Sequence, residues 1–149
     1  MAKSNIDKFD EVTGILFAKL FSSFPEPVDI RLEDYVPEED EQEVISEDSA
    51  QWIVDQNRRE FVEHTINWIV DSGFITSYNF NREQGIFSGV ILTAKGLECL
   101  KMTPDSLQAS AGTELAAAAR TGSIELLKSI VNQVLGAGIS IAMHRLVTS

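Results

Sequence analysis

Arg59 and His64 are the pair in this chain whose types and spacing could do chemistry. Separated by four residues on a helix, a permanently charged guanidinium could polarise a phosphate while an imidazole transfers a proton. The other reactive groups lack suitable neighbours. His64 and His144 are far apart and neither has a His, Cys or carboxylate in a metal-ligand pattern, and Cys99 is the single cysteine. Neither a metal centre nor an internal disulfide is therefore expected. The acidic run Glu33 to Asp48 lacks the Asp-x-Asp-x-Asp-Gly register of a calcium loop, and no glycine-rich phosphate loop, nucleophile elbow or catalytic carboxylate pair occurs. The expectation is a chain with no cofactor and no enzymatic activity.

Charge points to binding instead. Residues 1–57 contain fifteen Asp or Glu against four Lys or Arg, whereas residues 58–149 contain eight of each, so the first part carries the whole net charge of −11. Such a field repels phosphate and attracts basic protein surface. Glu38, Glu39, Asp40, Glu41 and Glu43, with Glu60 and Glu63 on the helix that follows, form the candidate protein-partner surface. A chain of 149 residues with 44 % hydrophobic content can bury one core. The start of the chain lacks the apolar stretch of a signal peptide, and the longest uncharged run, Ser129 to Met143, is shorter than the roughly 20 apolar residues of a membrane span. A cytoplasmic protein with no membrane contact is expected.

The elements that must position these residues follow from periodicity. Phe9, Val12, Leu16, Leu20 and Phe24 predict a helix that Pro25 and Pro27 end. Val28 to Leu32 alternates like a short strand; the acidic run after it reads as a loop, with a weak helical turn after Ser46. Phe61, Val62, Thr65, Ile66, Trp68 and Ile69 share one broad face of a helix over about 58–72, stopped by Gly73, with Trp68 read as core. Residues 74–80 and 86–92, rich in aromatic and β-branched side chains around a polar segment with Gly85, predict a β-hairpin. Thr93 can cap a short helix that Pro104 limits, an Ala-rich helix over 114–120 is closed by Gly122, and Ser123 can cap the last helix.

In that last helix, over 123–146, Val131, Val134, Gly138 and Ile141 recur at three to four residues among small side chains. Glycine costs a helix interior about 1 kcal/mol relative to alanine, so close approach of another backbone is expected to compensate. Val131, Val134, Gly138 and Ile141 are the candidate oligomer contacts; packing within the chain and against a second copy, a homo-oligomer, are both open.

The order helix, strand, helix, hairpin, helix resembles a winged-helix domain. Asp71-Ser72-Gly73-Phe74-Ile75 after the 61–69 helix, and Leu92-Thr93-Ala94-Lys95-Gly96-Leu97 after the hairpin, are similar to landmarks of MarR- and PadR-type regulators over about residues 61–101. The resemblance implies an α+β winged helix-turn-helix domain over 5–104, followed by a two-helix C-terminal appendage over 105–149. It also implies DNA contacts from Arg58, Arg59, His64, Asn67 and Arg82, as in a dimeric transcription regulator. Arg59 and His64 separately resemble the Arg-x(4 to 6)-His motif of HEPN ribonucleases.

The helix face that would meet DNA presents Glu60, Glu63, His64, Asn67 and Asp71. Its three carboxylates oppose a duplex carrying about one negative charge per 1.7 Å. The preferred expectation is a non-catalytic acidic adaptor or immunity-type inhibitor with a basic protein partner. The regulator and, more remotely, the ribonuclease are the alternatives.

Overall fold

The computed structural model describes residues 3–37, 48–104 and 107–148; Glu38, Glu39, Asp40, Glu41 and Glu43 lie outside them. Helix α1 (Asn5–Ser23) begins where Ser4 Oγ accepts the Asp7 N–H at 3.1 Å, four residues before its apolar stripe. Strand β1 (Val28–Arg31) runs into a 3-10 turn, Leu32–Tyr35, and then helix α2 (Asp48–Asp71) follows. Strands β2 (Ile75–Thr76), β3 (Asn79–Asn81) and β4 (Ile86–Leu92) precede helices α3 (Ala94–Lys101), α4 (Ala111–Thr121) and α5 (Ile124–Thr148). The chain is α+β, with five α-helices and one small antiparallel sheet among the described residues.

β4 is the central strand. β1 covers one edge, pairing Ile30 with Phe87 and Arg31 with Ile86, while β2 and β3 share the other edge. The hairpin forms for local reasons: Asn81 accepts the N–H of Gly85 at 2.8 Å and, through its side chain, that of Gln84 at 3.1 Å. Gly85 takes the positive φ (+66°) that this turn needs. Phe80 and Phe87 stack across the strands at 4.2 Å between centroids.

All these elements share one core. Leu16, Phe17 and Leu20 of α1 meet Val62, Ile66 and Ile69 of α2, Val90 of β4 and Leu100 of α3 in one cluster with Leu115 of α4 and Leu127, Ile130 and Val131 of α5. The two C-terminal helices therefore contribute to the core of the rest of the chain. Gly14 makes that possible, because Leu127 of α5 occupies the space a Cβ would take. On the same contact Lys128 Nζ reaches Asp7 Oδ1 at 2.6 Å. Burial pushes the Asp10 carboxyl above its ordinary value, opposed by Lys128 and by a hydrogen bond with Asn132.

Two expectations need correction here. α2 starts at Asp48, ten residues before the expected Arg58. Residues 48–57 contain no Gly or Pro, so nothing breaks the helix, yet they lack an apolar stripe, and Ile53 is exposed. Trp68 is not core. It is 50 % exposed and stands edge-on to Phe9, with ring centroids 5.3 Å apart.

Candidate functional site

α2 carries Arg58, Arg59, Glu60, Glu63, His64 and Asn67 of the candidate site residues, and its C-terminal end is fixed firmly. Gly73 adopts φ +84° so that Phe74 N–H can bond back to Ile69 O at 3.2 Å. Lys95 Nζ donates to Ser72 O at 2.7 Å and Thr93 Oγ1 to Gly73 O at 2.6 Å, which satisfies the last carbonyls and places a cation at the negative end of the helix. Thr93 also caps α3 by accepting the Gly96 N–H at 3.1 Å. At Gly96 a side chain would collide with Phe74 O. The Thr-x-x-Gly segment thus clamps two helix ends to the hairpin.

One face of α2, Val62, Thr65, Ile66 and Ile69, is buried. Beside it the 3-10 turn and the hairpin turn close a cleft of about 190 Å³, because Leu32 N–H bonds Gly85 O at 2.9 Å. Gln56, Arg59, Glu60, Glu63 and His64 from α2 line the cleft, with Leu32 and Arg82 opposite. Arg82 Nη2 lies 3.3 Å from Glu63 Oε2. Glu63, expected on the exposed acidic face, is only 8 % exposed, since the hairpin turn and Arg82 lie across it. Glu60, His64 and Asn67 are exposed as expected.

The three arginines do not act as one ridge. Arg58 is half-buried and approaches Asp55 at 3.9 Å. Arg59 is half-buried with its guanidinium seated against Gly85, and Arg82 is exposed but paired with Glu63. Positive and negative groups alternate around the cleft, so the arrangement presents no continuous cationic track of the kind that releases counterions from a duplex. Arg59 and His64 both line this cleft.

A second concavity was not foreseen. Asn5, Ile6 and Phe9 of α1 and Phe61, Thr65 and Trp68 of α2 form an apolar groove of about 400 Å³, with His64 on its rim. Ile6 is 69 % exposed. The available signal was Ile6 standing one turn ahead of the α1 stripe, where the rest of the stripe gives it no covering neighbour.

Of the candidate oligomer contacts, Val131, Val134 and Gly138 lie among the residues with described side chains. Val131 and Val134 are buried in the chain's own core. Gly138 faces the Phe74 ring and the Lys95 stem, where a Cβ would clash, so the close approach that offsets this glycine is intramolecular. No described residue lies near enough to Gly136 to compensate it, and the side chain of Ile141 lies outside the described set. The thiol of Cys99 is buried, and burial raises its pKa. No cluster of three His, Cys, Asp or Glu suited to a metal and no helix long and apolar enough to cross a membrane occur among the described residues.

Comparison of the chain with protein-family models, curated proteins and solved structures returned no match.

Proposed function

We propose that this chain is a non-catalytic, cytoplasmic protein-binding module, an adaptor or immunity-type inhibitor, that engages a basic partner through the exposed side of α1 and α2. The observation that carries this reading is the groove of Ile6, Phe9, Phe61 and Trp68, open to solvent on a chain of net charge −11. Half-exposed Trp is a preferred anchor of protein interfaces, and the excess of carboxylates in residues 1–57 selects a partner carrying Lys and Arg around an apolar centre. A winged-helix fold is part of the reading. It is supported by the β1–β4–β2 strand order with β3 also on β4, and by the clamp that Thr93 and Gly96 make on the hairpin.

The test is affinity capture from the native cell with nuclease in one arm, beside retention on random-sequence duplex at low salt. The expected result is a protein partner that survives nuclease, weakens with salt and is lost on Trp68→Asp, with no retention on duplex. Retention on duplex that Arg82→Glu abolishes would overturn the reading in favour of a dimeric winged-helix regulator, for which the exposed Arg82 at the hairpin turn is the supporting feature. Cleavage of RNA that is lost on His64→Ala would instead favour the ribonuclease.

A further inference from the structure

The walls of the groove of Ile6, Phe9, Phe61 and Trp68 limit what can fill it. Along α2 the lining residues Phe61, His64, Thr65 and Trp68 stand at i, i+3, i+4 and i+7, so the groove follows the helix axis for about 10 Å, close to two turns. This wall is mid-helix, and its backbone N–H and C=O groups are bonded within α2. Thr65, a polar side chain of the same wall, is 4 % exposed and gives its hydroxyl to Phe61 O at 2.9 Å. An extended segment lying here would leave main-chain groups unpaired against an apolar surface. A helix brings its own backbone bonds and presents only side chains to the groove.

Charge selects which helix. Beside the lining row, Glu60, His64, Asn67 and Asp71 follow one another at four, three and four residues as one exposed row of α2, with a carboxylate at each end and no Lys or Arg in it. Neither carboxylate joins an ion pair among the described residues. The two positions are about 16 Å apart along the axis. The neighbouring cations are taken: Lys3 by Glu11 at 3.0 Å, Arg58 by Asp55 at 3.9 Å, and Lys8 is engaged as well. Arg59 is turned to the other side, against Gly85. We infer that the groove takes an amphipathic helix of a partner protein, its apolar stripe over Ile6, Phe9 and Trp68 and its Lys or Arg side chains on the flank that faces Glu60 and Asp71. The inference rests on the protein-binding reading above and names the element of the partner that docks.

The probe is a synthetic amphipathic helix of about four turns, with leucines on one stripe and lysines along one flank. It is titrated into the full chain and followed at the Trp68 indole N–H and Ile6 methyl resonances. Saturable shifts at both are expected, with a gain of peptide helicity on binding. Trp68→Ala weakens binding about thirtyfold, and Ile6→Asp, at a position already in solvent, gives a second loss that does not depend on the core. Glu60→Gln and Asp71→Asn each weaken it about two- to fivefold and flatten its salt dependence. A peptide with glutamate in place of lysine does not bind. Absence of saturable shifts at Trp68 and Ile6 overturns the site. Equal binding by a scrambled peptide without the stripe, or by one that central prolines keep from being helical, overturns the helix, and undiminished binding of the glutamate peptide overturns the charge match. A nuclease-resistant, Trp68-dependent partner captured from the cell while the helical peptide fails ends the helix and leaves protein binding standing. Peptide binding with no captured partner marks failure of the protein-binding reading alone.

Discussion

The last helix and the α1–α2 groove exchange the roles that composition alone assigns them. Gly138, in a small-residue stretch that invites a second copy, is buried under Phe74 of its own chain. Trp68, large, apolar and on a helix stripe that reads as core, is half exposed. Both helices have apolar faces wider than a single neighbour can cover. What differs is the covering element: α5 lies along α1 and beneath the hairpin side of α3, whereas no described element crosses the outer side of Phe9 and Trp68. An apolar stripe states that something must be covered, and the packing partner decides which part is covered within the chain.

Substitutions at the two places can break this contrast. Leu127→Ala removes the side chain that fills the space above Gly14 and should cost about 2–5 kcal/mol in chemical denaturation; a loss under about 1 kcal/mol would mean that α5 is not held against α1. Gly138→Leu should destabilise by about 1–3 kcal/mol through overpacking against Phe74 and Lys95. If it leaves the midpoint unchanged but alters the sizing profile, the position faces another copy after all.

Smaller effects sharpen it. Trp68→Ala should cost no more than about 1.5 kcal/mol, the worth of its edge-on contact with Phe9, where a buried Trp would cost about 3–5 kcal/mol. Asp10→Asn probes the covered contact between α1 and α5 by pH. The folded carboxyl titrates above its ordinary 3.8, first because it is buried, so its charged form opposes folding. Relative to wild type the Asn variant should gain stability as pH rises through and above that value and stay level below it. Thermal midpoints across acidic to neutral pH give the check, and a widening deficit of the variant with rising pH would reverse the assignment.

Local chemistry made much of the fold readable. The turn at Asn81 to Gly85, the stop at Gly73, the cap at Thr93 and the stripes of α1 and α5 each depend on a few neighbours along the chain. Of the start of α2 only a weak helical turn after Ser46 was legible, because residues 48–57 are helical without an apolar stripe. In the candidate site, Arg59 and His64 stood out by type and spacing, and both line the cleft beside α2. The burial of Glu63 did not stand out, because its partner Arg82 on the hairpin is nineteen residues on.

Turn conformations, helix ends and apolar periods are thus properties of short segments, where steric limits and hydrogen bonds between close neighbours act whatever lies beyond. Which carboxylate is paired, which tryptophan is left in solvent and which guanidinium is seated against a turn glycine depend on contacts across tens of residues. Those are chosen only when the helices compete to cover one another's apolar surface, and that competition is settled by shape and volume in three dimensions.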